Sequence, residues 1–263
     1  MVATRSSLVI GPQASAIDAT STTRTSRTTA ADAGHRVVLV VATQGEHGEI
    51  VPGVLVDGET LAERRVKETH DAAAVLGIAR VEFLGYVDSG MVDTDTNGAS
   101  GSFWSADVEE AAERLAAILR DEDAEVLTCY DRIGGYGHPD HIQVHRVGRR
   151  AGELAGTPRV YEATSNRDEF RKMMAMAREA GEDGPELDPE AFGSPESELT
   201  TRVDVTPWLD AKRAAMRAHR SQIADDSFFL TLDDDRFALA FGTEWFIRAG
   251  GDPTHREDTL FPA

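Results

Sequence analysis

The sequence predicts an α/β protein: a parallel sheet flanked by helices, followed by a C-terminal elaboration. Two observations carry this prediction. Short apolar runs rich in β-branched residues lack polar alternation, as expected of strands buried on both faces. These runs alternate with longer segments of helical period, the β-α-β order that builds parallel sheets.

The elements follow in order. "SLVI" (Ser7 to Ile10) is a short first strand, and "RVVLVVAT" (Arg36 to Thr43) is a continuous buried-strand run. "GETLAERRVKETHDAAAVLG" (Gly58 to Gly77) places Leu61, Val66, Ala73 and Leu76 near helical spacing and ends on a glycine that suits a C-cap. "VEFLGY" (Val81 to Tyr86) is the next strand. "SADVEEAAERLAAILRDEDA" is a helix with Ser105 as N-cap and glutamates in its first turn. "AEVLTCYD" (Ala124 to Asp131) is a strand, "DHIQVHRVGRRAGELAG" (Asp140 to Gly156) a helix, and "PRVYEAT" (Pro158 to Thr164) a strand. Beyond Thr164 the alternation stops. A charged helix, "SNRDEFRKMMAMAREAG", precedes an acidic, proline- and glycine-bearing surface loop (Glu182 to Thr200). "TPWLDAKRAAMRAHRSQI" is a helix with Pro207 near its start, and "FALAFGTEWFIRAG" is strand-like or mixed.

Composition excludes several classes. A formal net charge of -19 argues against nucleic acid and anionic membranes, which attract basic surfaces. One cysteine, Cys129, cannot form an intrachain disulfide, so a reducing cytoplasm is the expected location. No apolar run reaches the roughly 18 residues of a spanning helix, and "SLVIG" is too short for a secretory apolar core. No G-x-G-x-x-G follows "SLVI", which argues against a dinucleotide site. Composition leaves assembly into a homo-oligomer open.

The chemistry concentrates in "GGYGHPDHIQVH" (Gly134 to His145), where three of the chain's eight histidines fall. The stretch directly follows a strand, and ligands of open parallel sheets sit at the carboxyl ends of strands. Gly134, Gly135 and Gly137 permit positive φ and close backbone approach. Pro139 and Asp140 suit a turn or the first positions of a helix. His141 and His145 are spaced i and i+4, so on a helix they share a face. Imidazoles are common zinc ligands that carboxylates orient, yet His-x-x-His alone equally describes a polar turn. His35 and His145 are expected to be structural, and Cys129 to be a packed thiol.

The spelling "GGYGHPDH" resembles the signature of the PIG-L/LmbE-like zinc-dependent N-deacetylases, a family that includes mycothiol-pathway deacetylases and amidases. "ATQGEHGE", "RRVKE", "FLGYVDSGM" and "FGTEWF" are similar to family segments in the same order. The resemblance covers about Gly34 to Phe246. It implies a Rossmann-like (LmbE-like) sheet and a hydrolase that removes an N-acyl group from an amino sugar such as an N-acetylglucosaminyl compound. By resemblance, His141 is a zinc ligand, His138 stabilises the oxyanion, Asp140 orients and charges His138, and Tyr136 assists. Arg65 and Asp88 are implied at the substrate; Glu46 and Glu49, read from the residues themselves, suit either sugar hydroxyls or a solvated turn.

The chain departs from the family at its N-terminus. After the first strand the family carries His-Pro-Asp-Asp or His-Ala-Asp-Asp, which supplies two zinc ligands and the general base. Here "GPQASAID" places Gln13, Ser15 and Ala16 at those positions. Glutamine is a poor zinc ligand, serine is no base near neutral pH, and alanine has no donor atom. Thr20 to Thr29 is eight Ser/Thr and two Arg, without acid, in an acidic chain. It lacks the amphipathic period of a transit peptide. From Ala31 the match resumes, and so sharp a boundary suggests a substituted or frame-shifted segment. Residues 1–33 are therefore expected to be an atypical part of the same domain as residues 34–263, and zinc to bind weakly. Asp18 and Asp32 are the nearby carboxylates, but neither has the motif's spacing. Two readings follow: an amino-sugar deacetylase, or a non-catalytic relative that keeps a sugar-binding fold.

Overall fold

The computed structural model describes residues 6–11 (backbone), 30–179 and 188–261. Seven strands form one sheet in the order β3-β2-β1-β4-β5-β7-β6. β1 (Ser6–Gly11), β2 (Arg36–Val41), β3 (Arg80–Phe83), β4 (Ala124–Tyr130) and β5 (Arg159–Thr164) pair in parallel. β6 (Thr201–Asp204) and β7 (Thr243–Arg248) complete the edge in antiparallel pairing, β7 against β5 and β6 against β7. β1 lies between β2 and β4. From it the chain steps outward to β2 and β3, then returns to β4 and β5 on the other side. The β1/β4 boundary is thus the topological switch point, where open α/β sheets leave a crevice at their carboxyl edge.

The principal helices are α1 (Leu61–Val75), α2 (Val108–Asp121), α3 (Pro139–Ala155), α4 (Arg167–Glu179), α5 (Leu209–Ala218) and α6 (Asp234–Phe241). α1 opens with a capping box: the Thr60 hydroxyl accepts from Glu63 N–H while the Glu63 carboxylate accepts from Thr60 N–H. α2 and α3 pack over one face of the sheet, where Ala111, Leu115 and Leu119 meet Val144, Val147, Leu127 and Cys129. Val126 points the other way, because strand side chains alternate, and joins Tyr161, Ala163, Val203 and Phe246. α1 and α5 pack through Ala72, Leu76 and Ala215.

Several boundaries differ from the sequence reading. The cap of α2 is Asp107, whose carboxylate accepts from Glu110 N–H, while Ser105 is engaged with Ser102 and Ala99. "FALAFGTEWFIRAG" divides at Gly242 into the end of α6 and the edge strand β7. Short 3₁₀ turns occupy part of the segment read as loop, and β6 follows it in a stretch that the sequence reading assigned to no element. Gln13, Ser15, Ala16, Asp18 and the Thr20–Thr29 tract lie outside the described residues. Among the described residues no helix is long and apolar enough to cross a membrane.

Candidate active site

The site is assembled at the carboxyl ends of β2, β3 and β4. After β4, Gly134, Gly135 and Gly137 adopt φ of 64°, 73° and 89°, which a side chain would strain. Gly134 also has no room: a Cβ there would stand 2.7 Å from His141 Cβ and 2.8 Å from the Ile142 nitrogen. The turn delivers His138 as the N-cap of α3, with Pro139 at the first helical position.

The two histidines take opposite tautomers. His138 Nδ1 accepts from the Asp140 backbone N–H at 3.1 Å, so the neutral ring carries its proton on Nε2. His141 Nδ1 lies 2.9 Å from the Gly134 carbonyl, which can only accept, so His141 carries its proton on Nδ1 and its lone pair on Nε2. The ring centroids are 4.7 Å apart. Tyr130 stacks on His141 at 4.4 Å, and Tyr136 meets the same ring edge-on at 5.0 Å. Both histidines are buried.

Asp140 is 1% exposed. Its Oδ2 accepts from Ser89 N–H at 3.1 Å, and its Oδ1 has no hydrogen-bond partner among the described residues. Burial, with the charge of Asp88 adding, pushes its carboxyl up to about 7 against the opposing effects of Ser89 and His141. Asp140 meets His138, the residue that the resemblance has it orient, through its main chain. Its backbone N–H holds the His138 ring, and its carboxylate ties α3 to the loop after β3.

That loop joins the remaining candidates. The Asp88 carboxylate accepts from Gly90 N–H at 2.9 Å and from His47 N–H at 3.2 Å, and Glu46 accepts from Asp88 N–H at 3.0 Å. Glu46, Asp88 and Asp140 thus sit on one hydrogen-bonded path across three strand ends. Arg65 is 1% exposed and donates to the carbonyls of Gly45 and Glu49 at 2.8 and 2.9 Å. It braces the loop after β2 from below. Gly48 makes room for it, since a Cβ there would lie 2.2 Å from the guanidinium.

The remaining sequence candidates lie elsewhere. His145 is half-buried, donating from Nδ1 to the Tyr130 carbonyl at 3.2 Å, with Glu162 at 3.7 Å. His35 stacks on Phe261, and Cys129 is buried with its thiol pKa raised by burial. Asp32 accepts from the Trp208 indole at an exposed position. Sequence reasoning missed Tyr130, which fixes the His141 ring plane, and Asp131. The signal available for both was their place at the carboxyl end of a strand, directly before the glycine turn.

The donor set of the described residues does not by itself fit a resident zinc ion. Among the described residues no group of three His, Cys, Asp or Glu side chains is placed to hold a metal, whereas a catalytic zinc takes three protein ligands. His141 offers a suitable lone pair, while Gln13 and Ala16, which the resemblance sets against the family's other ligands, lie outside the described residues.

Comparison with known proteins decides the family. The family described as PIG-L: GlcNAc-PI de-N-acetylase matches residues 18–152, half of the chain. The chain belongs to this family. A 1D-myo-inositol 2-acetamido-2-deoxy-alpha-D-glucopyranoside deacetylase from Nocardiopsis dassonvillei is 43% identical over 231 residues, 79% of each chain. Among solved structures, N,N'-diacetylchitobiose deacetylase from Pyrococcus horikoshii aligns with a TM-score of 0.58 at 19% identity, over 94% of this chain and 84% of that one. The 4-carboxy-2-hydroxymuconate hydratase GalB from Pseudomonas putida KT2440 also reaches 0.58 at 19% identity, over 93% and 96%. One backbone therefore carries an amide hydrolase and a hydratase, so structural likeness at this distance speaks for fold alone.

Proposed function

We propose that this chain recognises an N-acetylglucosaminyl compound, such as an N-acetylglucosaminyl-inositol, and belongs to the reaction class that hydrolyses its N-acetyl amide to acetate and a free amine. The observation that carries this reading is the paired-tautomer arrangement at the strand ends. His138 accepts the Asp140 N–H at Nδ1 and so turns Nε2 outward as a donor, which suits the oxygen of an acetyl group as negative charge develops there. Its Nδ1 is occupied by the Asp140 N–H, so charging the ring would require giving up the cap of α3. Tyr136 stands beside the pair. Glu46 and Asp88, fixed by backbone amides, present acceptors for sugar hydroxyls. Burial of His138, His141 and Asp140 supplies the low dielectric in which such donors count most.

The family chemistry uses zinc to activate water and polarise the carbonyl. We place weak zinc binding at most in this chain, because the available donor set is short, and we route no step through the metal. The shortfall favours a second reading: a non-catalytic relative whose cleft binds the amino sugar without hydrolysing it. A cytoplasmic location is part of this reading, supported by the single cysteine, as is membership of residues 1–33 in the same domain, supported by the pairing of β1 with β2 and β4.

One experiment separates the readings. The purified chain is incubated with N-acetylglucosaminyl-inositol, with and without added zinc, while free amine is measured alongside binding by calorimetry. Binding with slow, His138-dependent release of amine supports the deacetylase. Binding without release supports the second reading. Absence of both contradicts both.

A further inference from the structure

We infer that Asp131 is a positioning residue for His141, setting the orientation and tautomer of that imidazole through the Gly134–Gly135 peptide. Asp131 directly follows β4 and is 1% exposed. Its Oδ1 accepts from Ile133 N–H at 3.2 Å and from Gly135 N–H at 3.0 Å. Its Oδ2 accepts from the Thr164 hydroxyl at 2.6 Å, and its backbone N–H donates to Ala163 at 3.1 Å, so the residue is anchored to β5.

The Gly135 N–H and the Gly134 carbonyl belong to one peptide group. Its N–H points to the Asp131 carboxylate, and its oxygen accepts the His141 Nδ1 proton at 2.9 Å. A carboxylate on the N–H polarises the whole amide and makes its carbonyl a stronger acceptor. The outcome is a carboxylate–peptide–imidazole relay. It does what a carboxylate bonded directly to a histidine does elsewhere: it fixes the ring and raises the basicity of the far nitrogen. The peptide plane can span the two partners because Gly134 and Gly135 both adopt positive φ. Tyr130, stacked on the ring, holds the second axis.

This inference goes beyond the deacetylase reading and does not depend on turnover, because the tautomer is read without substrate. The test is nitrogen-15 NMR of the full chain labelled at histidine, at a pH where the rings are neutral. The unsubstituted chain is expected to show His141 protonated at Nδ1, and finding the proton on Nε2 overturns the inference at once. Asp131→Asn keeps the shape and removes the charge. It should shift the His141 tautomer ratio toward Nε2–H by roughly five-fold, the difference between a charge-assisted and a neutral hydrogen bond. Asp131→Ala should shift it further. Thr164→Val, which removes only the anchor to β5, should lower thermal stability and leave the ratio close to that of the unsubstituted chain. A ratio unchanged in both Asp131 variants, whatever happens to stability, would show that Asp131 merely braces the turn.

Discussion

His138 and His141 stand with ring centroids 4.7 Å apart and carry their protons on opposite nitrogens. Two backbone groups dictate this. The Asp140 amide can only donate and the Gly134 carbonyl can only accept, so one ring presents a donor from Nε2 and its neighbour a lone pair. The pairing depends on the glycine turn, and the turn can be tested first. Gly134→Ala forces a left-handed φ on a residue with a Cβ and drives that atom into His141 and Ile142. Strain of about 1–2 kcal/mol and overpacking of about 1–3 kcal/mol should together lower unfolding stability in urea by roughly 2–5 kcal/mol. A loss below about 0.5 kcal/mol, the range of ordinary surface changes, would mean that the turn is free to relax.

Arg65 separates bracing from substrate contact. Its guanidinium reaches two carbonyls of the loop after β2, a fork that lysine cannot reproduce. Arg65→Lys should cost about 1–3 kcal/mol of stability. Affinity for an N-acetylglucosaminyl ligand should fall only as far as the loop bearing Glu46 is loosened. Full stability with abolished binding would instead place Arg65 against the ligand.

Glu68 sets a pH dependence away from the histidines. It is 2% exposed and accepts from Ser221 N–H at 2.8 Å and from the Ser221 hydroxyl at 2.6 Å. Burial raises its pKa above the ordinary 4.5, outweighing the opposing hydrogen bonds from Ser221 and the charges of Arg64 and Arg65. A carboxyl raised in the folded state contributes stability that is fully present below the unfolded value and is lost as pH rises through the folded one. The stability of Glu68→Gln relative to the unsubstituted chain should therefore improve from about pH 4 to about pH 8. A difference that stays flat, or moves the other way, would show that Ser221 outweighs burial.

Zinc should not be retained. With the donor set short among the described residues, exhaustive dialysis followed by elemental analysis should find well under one zinc per chain. One equivalent surviving dialysis would show that other side chains complete the site.

Much of this arrangement was legible before any coordinates. Continuous β-branched runs located β2 and β4, and the glycine turn after β4 located the site, because burial on both faces and positive φ leave plain marks in composition. The histidine tautomers left none, since they depend on one amide and one carbonyl that only the folded turn brings to the rings. The engagement of the Asp140 carboxylate left none for the same reason: its partner, the Ser89 N–H, lies 51 residues away. Asp131 was passed over as the last residue of a strand, because nothing local tells that its two oxygens divide between a turn and a neighbouring strand. The C-terminal edge was read poorly because β6 is only four residues long and "FALAFGTEWFIRAG" holds two elements that meet at Gly242.

On the proposed reading, the cleft is that of an amino-sugar de-N-acetylase whose chain carries Gln13, Ser15 and Ala16 where the resemblance expects two zinc ligands and a general base. The most direct test is the triple substitution Gln13→His, Ser15→Asp and Ala16→Asp, assayed for bound zinc and for acetate released from N-acetylglucosaminyl-inositol. The variant is expected to retain zinc and to hydrolyse the substrate faster than the unsubstituted chain by at least about 10²–10⁴-fold, the scale of general-base assistance. A variant that stays metal-free and inactive, or an unsubstituted chain that hydrolyses the substrate as fast as the variant, would contradict this reading.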